Sequence, residues 1–219
     1  MSLDKDEADE AEAAAGAPRP PGPAKGEARQ KAEFILSRAY GLLREPKSEW
    51  RQIRDEETNI PSLMLGYVAP LAAVPPLAGL VGGLAFDRGL TGTPAQLFVG
   101  AVITFLVFMA LIFFLGYLIG AIAENFEGER NELAAMKVAA FAPTPAFLLG
   151  MFSVWPPFWW VGLIGVAVSA FLLFRGLPIL MKAPEDRALS YAATVAVTGL
   201  IALVVLGVLT SCVTGIGRL

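Results

Sequence analysis

In 219 residues, hydrophobic side chains make up 55% and charged ones only 17%, against roughly a quarter charged in a soluble domain, and 13 of the 20 acids and 10 of the 17 bases fall within residues 1–60. The seven acids and seven bases left for residues 61–219 are too thin a charged surface for a water-soluble fold, which excludes an ordinary soluble enzyme. The absence of histidine removes HExxH metalloproteases, His-liganded zinc or haem and the Ser-His-Asp triad, the lone Cys212 removes intrachain disulfides and CxxC redox sites, and a net charge of −3 gives no pull toward nucleic acid.

Residues 1–30 divide into an acidic Ala/Asp/Glu stretch, Asp4 to Ala15, and a Pro-rich stretch with Pro18, Pro20, Pro21 and Pro23. Neither has the aromatic or β-branched side chains that would repay the entropy of ordering, so a disordered tail is expected. Its acidic start lacks an apolar core, so no signal peptide is expected and insertion begins with the first span. Residues 31–60 form a juxtamembrane segment. From Ala32 to Leu43 the apolar Phe34, Ile35, Leu36, Ala39, Tyr40, Leu42 and Leu43 recur at helical spacing. Pro46 ends that helix, and Glu49 and Trp50 open a short polar turn. Such a helix either lies in the lipid interface, with Trp50 at the boundary, or packs on the ends of a bundle; the two are compatible.

Four charge-free runs organise the remainder: Pro61–Phe86, Gly89–Ala123, Val138–Phe174 and Ala188–Gly217. A span needs about 20 residues to cross about 30 Å of hydrocarbon, so the first, second and fourth runs hold one span each. In the second, Thr91-Gly92-Thr93-Pro94 reads as a turn and helix start, with the helix from about Gln96. The 37-residue third run is too long for one helix, and Trp155-Pro156-Pro157 breaks it in the middle. Trp155, Trp159 and Trp160 gather where a membrane surface would place them. The expected fold is therefore all-α, a polytopic membrane helix bundle with five spans near 62–85, 96–122, 134–154, 158–180 and 189–212. The rival reading makes the middle pair a re-entrant hairpin. With the N-terminus inside, 15 bases fall on the inner side and two, Arg88 and Arg218, on the outer, which predicts a cytoplasmic N-terminus and an outer C-terminus.

Within the spans, small residues stand four apart at Gly79/Gly83, Gly116/Gly120, Ala135/Ala139 and Ala192/Ala196, a spacing that lets helices approach closely. Pro70 and Pro75-Pro76 in the first span, and Pro143 and Pro145 in the third, leave carbonyls without amide donors and predict bends, with Thr144 a local substitute donor. Lys137 and Arg175 lie near the inner ends of their helices, where their heads can snorkel to the headgroups, Lys137 with Glu132 or Glu124 as partner. No span has a carboxylate at its centre, which argues against an ion-coupled transporter. In the last inner link, Pro184 is expected to stop the incoming helix, Glu185 and Asp186 to start the next, and Lys182 and Arg187 to supply positive-inside charge.

The stretch Pro46, Lys47, Trp50, Ile53 is similar to the entry segment of Yip1-domain membrane proteins. The resemblance continues through Tyr67-Val68-Ala69-Pro70, Lys137 with Pro143-Thr144-Pro145, Arg175-Gly176-Leu177 and Met181 to Ala188, covering about residues 35–212. It implies a five-helix bundle with an inner N-terminus. Eukaryotic members act in vesicle traffic, bind Rab GTPases and associate with one another, whereas bacterial members have no settled function. The Ala/Gly-rich composition looks bacterial, so the Rab role is not carried over and the expected location is a bacterial inner membrane. No catalytic residue or cofactor is implied.

Two functions follow. One is a non-enzymatic organiser or adaptor that binds lipid or a membrane-protein partner, itself included, through its spans and entry helix. The other is a permease for a small solute or lipid that uses the Pro-broken spans. Trp50, Pro70, Lys137, Pro143, Pro145, Arg175, Lys182 and Pro184 are the residues on which structure or interaction would turn.

Overall fold

The computed structural model describes residues 25–86 and 92–216. The tail before Lys25, Arg88 and Arg218 lie outside the described residues. Two compact units divide the chain, the first ending at Leu36 and the second beginning at Ser37. Helix α1 (Lys25–Arg44) carries the chain from one into the other. It starts within the stretch expected to stay unstructured and carries an exposed Arg29–Glu33 pair of 2.8 Å one turn apart.

In the second unit, α1 ends at Arg44 and α2 (Pro46–Asp55) follows at once, since proline at the first helical position has no amide to lose. Five helices of 21 to 33 residues, Ile60–Phe86, Pro94–Phe126, Glu132–Val154, Trp160–Leu180 and Glu185–Val208, are long and apolar enough to cross a membrane. Among the described residues no strand occurs. The spans start where local chemistry supplies acceptors for their first amides. Asn59 accepts from Ser62, Thr93 and Gln96 form a capping box around Pro94, and Asn131 accepts from Ala134. Glu185 and Asp186 fill the first turn of the fifth span.

Both Pro-broken spans bend as their sequences dictate. The first runs as α-helix to Leu63, widens into a π-helical turn over Met64–Val68, and resumes across Pro70 to Ala72. A new helix, Val74–Phe86, begins with Pro75 and Pro76 in its first turn. The third span ends its first segment at Phe141 and restarts at Thr144, with Pro145 placed where no amide is needed. It finishes as a 3₁₀ turn, Gly150–Val154, and Trp155 with a second 3₁₀ turn, Pro156–Phe158, separates it from the fourth span.

The second, third, fourth and fifth spans pack pairwise into a ring. Small residues set its closest seam. A Cβ on Gly116 would come 2.7 Å from Met136 Sδ and one on Gly120 would meet Ala135 Cβ at 3.5 Å, so the second and third spans touch through these glycines as the spacing predicts. The ring is packed unevenly. At the charged end, where Glu127, Glu129, Lys182 and Arg187 connect the spans, Ile119, Ala123, Ala135, Leu177, Met181 and Tyr191 are buried. Toward the aromatic end, where Phe86 meets Trp155 at 5.1 Å, no residue of the second span before Leu111 is buried, and Gly165 alone of the fourth span before Leu172.

Candidate functional site

The charged end builds its most specific arrangement around α2. The last carbonyls of a helix have no amide partner and carry its partial negative charge. Here the donor comes from another element. Lys137, one turn into the third span and only 4% exposed, sends its ammonium to the carbonyls of Ile53 at 2.7 Å, Arg54 at 3.1 Å and Glu56 at 2.6 Å. An ammonium has three N–H bonds, and all of them are used. A buried positive charge is tolerable when it is fully hydrogen-bonded and faces a helix C-terminus. This corrects the expectation that Lys137 snorkels or pairs with Glu132 or Glu124.

The apolar side of α2 completes the dock. Trp50 and Ile53 are fully buried, and the indole lies flat against Gly176 of the fourth span, where a Cβ would come 2.7 Å from Trp50 Cζ2. Trp50 is thus a packing anchor in the bundle and not an interfacial float. Arg38 of α1 closes the far side. Its guanidinium bonds Glu49 at 2.8 Å and Glu56 at 2.7 Å with the side chain 10% exposed, and it lies 5.7 Å from the centre of the Phe141 ring. Outside, Lys47, Arg51, Gln52, Arg54 and Asp55 face solvent. A hydrogen bond from Arg54 holds the Asp55 carboxyl below the usual carboxylate range. Along α1, Ala39 and Leu42 turn inward, as packing on the end of the bundle requires, while Tyr40 and Leu43 stay exposed.

Arg175, one residue before Gly176, does not reach past its helix end as expected. Its guanidinium lies 5.3 Å over the Phe171 ring, one turn back, because helical side chains lean toward the N-terminus. Its Nε and the Trp50 Nε1 are buried without a hydrogen-bond partner. Lys182 takes a left-handed φ of 51° just past Met181, which caps the fourth span at Leu180, so that helix stops before Pro184 and not because of it. Pro184 instead offers its carbonyl to the Arg187 amide at 3.1 Å. The two connections at this end are pinned together by the Glu129 amide on the Met181 carbonyl at 2.8 Å, with exposed Lys182–Glu129 and Arg187–Glu127 pairs above.

Pro143 and Pro145 belong to a second, deeper cluster. The Phe141 carbonyl would bond the amide of residue 145, which proline lacks. Thr144 Oγ1 donates to it instead at 2.7 Å. With that single hydrogen spent, the 2.9 Å bond between Thr144 and Tyr67 runs from the tyrosine hydroxyl. Tyr67 sits in the π turn that precedes Pro70, so each span's irregularity answers the other's. Pro70 itself is exposed and joins neither cluster.

The sequence reading missed Arg38 as a bridge and α2 as the partner of Lys137. A basic residue at helical spacing beside an apolar stripe signalled the first. The second joins residues more than 80 positions apart and left no local signal. Among the described residues no cluster of three or more acids, cysteines or histidines could hold a metal ion.

Against known proteins, the Yip1 domain model matches residues 40–206. Inner membrane protein YohC of Escherichia coli K12 is 27% identical over 192 residues, covering 83% of this chain and 98% of that protein. The same-named protein of Escherichia coli O6:H1 matches at the same identity and coverage. No solved structure matches the chain.

Proposed function

The chain belongs to the Yip1-domain family, and from that premise we propose that it is a non-enzymatic organiser of a bacterial inner membrane, with α2 as a rigid platform for a second membrane protein or another copy of itself. The observation that carries this reading is the buried Lys137 ammonium, saturated by the last carbonyls of α2. A buried charge in the bundle spent on holding one short helix fixes that helix's outward face, and a fixed face of Lys47, Arg51, Arg54 and Asp55 suits recognition by complementary charge. The YohC proteins are described as inner membrane proteins, which supports the location. With the bases distributed 15 to two, the charged end would face the cytoplasm. The permease reading has less support for a polar solute, because the space beside Pro143 is walled almost wholly by apolar side chains and offers such a solute little to bind.

A photoreactive residue placed at Arg51 or Lys47 in native membranes tests the platform. A discrete adduct, of partner plus chain or of twice the chain mass, is expected from both positions and is lost in Lys137→Met. A smear of unrelated adducts, unchanged by Lys137→Met, would sink the reading.

A further inference from the structure

Inside the ring of the second, third, fourth and fifth spans lies a cavity of about 450 Å³. We infer that this cavity binds one lipid acyl chain, taken sideways from the bilayer between the fourth and fifth spans. The site is separate from the α2 platform and does not depend on it.

The wall settles the chemistry of the occupant. Phe108, Leu115, Ala142, Phe147, Leu173 and Val195 typify it, and the one hydroxyl among the lining residues, Ser169, already accepts the Ala146 amide at 3.2 Å. Water in a cavity needs two to four polar partners, and the described side chains of this wall offer only the Ser169 hydroxyl. Left empty, a void of this size forfeits contacts on every side, a cost that rises with volume. An apolar occupant removes both difficulties.

Burial settles the route. Toward the charged end the cavity is sealed: Tyr191 donates to the Ile119 carbonyl, the Phe126 ring stacks on Tyr191 at 4.8 Å, and Leu177 and Met181 beneath are fully buried. Of the lining residues on the second and third spans, Leu111, Ile112, Ala139, Ala142 and Phe147 are buried, and none is fully open to the outside. The fourth and fifth spans differ nearer the aromatic end. Leu173 and Val195 are buried, but Leu163 and Leu200 line the same space and remain 58% and 55% exposed, so the opening is a lateral gap at hydrocarbon depth. What lies outside such a gap in a membrane is acyl chain. A neighbouring helix, about 10 Å across with its side chains, would have to force these two spans apart to enter, whereas a methylene chain need not. Small side chains keep the space open: Ala139, Ala146, Gly162 and Ala196 face it, while the glycines at the second–third seam are filled by Met136 and Ala135.

The test uses the full chain in vesicles of phosphatidylethanolamine and phosphatidylglycerol, with a trace of phosphatidylglycerol carrying a diazirine halfway along one acyl chain. After illumination, mass spectrometry should find the adduct on the buried walls Ala142, Leu173 and Val195 as well as on lipid-facing Leu77 and Val204. Ala196→Phe, whose ring would occupy the space, should lose the wall adducts and keep those at Leu77 and Val204. Should that variant misfold, the wild-type pattern decides alone. Adducts confined to lipid-facing positions would overturn the inference.

Discussion

At the scale of single residues, Gly176 and Lys137 decide whether α2 stays docked. The indole of Trp50 occupies the space a side chain would need, so Gly176→Ala forces a Cβ to 2.7 Å from Cζ2. Overpacking of this kind costs about 1–3 kcal/mol, more than the gain of about 1 kcal/mol that alanine brings to a helix interior. Gly100→Ala, with nothing within 4 Å of the new carbon, should be neutral or stabilising. In detergent the thermal unfolding midpoint of Gly176→Ala is expected to fall and that of Gly100→Ala to hold or rise, and a Gly176→Ala midpoint at or above wild type would refute the close contact. Lys137→Met strands three carbonyls at the end of α2. An unpartnered buried polar group costs about 1–3 kcal/mol, and lifting α2 into water is the way to avoid that cost. Amide exchange should therefore speed up over residues 46–56 while the spans stay protected. Lys137→Arg should fall between, since a planar guanidinium cannot aim three N–H bonds from one nitrogen. Equal protection of α2 in wild type and Lys137→Met would show that Trp50 and Arg38 hold it unaided.

At the scale of elements, the first and third spans are coupled through their irregular turns. Thr144→Val removes the hydroxyl that stands in for the missing amide at Pro145 and also the acceptor of the Tyr67 bond. Tyr67→Phe leaves the Phe141 carbonyl served. The valine variant should lose about 1–3 kcal/mol and the phenylalanine variant about 0.5–1.5 kcal/mol, and the double variant should lose less than their sum, because the two share a bond. Strict additivity in a denaturant titration would mean that the chain of hydroxyls does not form. This coupling marks how far the sequence could be read. The spans, the prolines that interrupt them and Thr144 as substitute donor were all legible, because each depends on chemistry within one turn of helix. The C-terminal stop of the fourth span was not. Pro184 is a strong local breaker, yet the chain turns earlier at Lys182, with φ 51°, where the Glu129 amide takes the Met181 carbonyl. Lys137 was misread for the same reason. Its partners are carbonyls of another helix, and backbone carbonyls have no signature in a sequence.

At the scale of the whole molecule, orientation rests on charge, and the structure supplies the positions at which to probe it. Asp186 is exposed at the charged end and Ser153 at the aromatic end, whereas Ala183, in the same link as Asp186, is buried and would report nothing. Cys212→Ser provides a background free of thiols, since the chain has one cysteine. In intact cells, a thiol reagent that cannot cross the membrane should label Ser153→Cys at once and Asp186→Cys only after permeabilisation, which places the charged end inside. The cause is the basic excess around the inner links, so replacing Arg130, Lys182 and Arg187 together with Gln should let a fraction of chains label at Asp186→Cys without permeabilisation. Arg175→Gln should leave the pattern as it is, because that guanidinium lies over Phe171 within the span and not among the link charges. If Asp186→Cys labels equally before and after permeabilisation in the otherwise native chain, the inner N-terminus is wrong. The platform of α2 would then face the other side of the membrane, while the five-span ring and its lateral gap would stand unchanged.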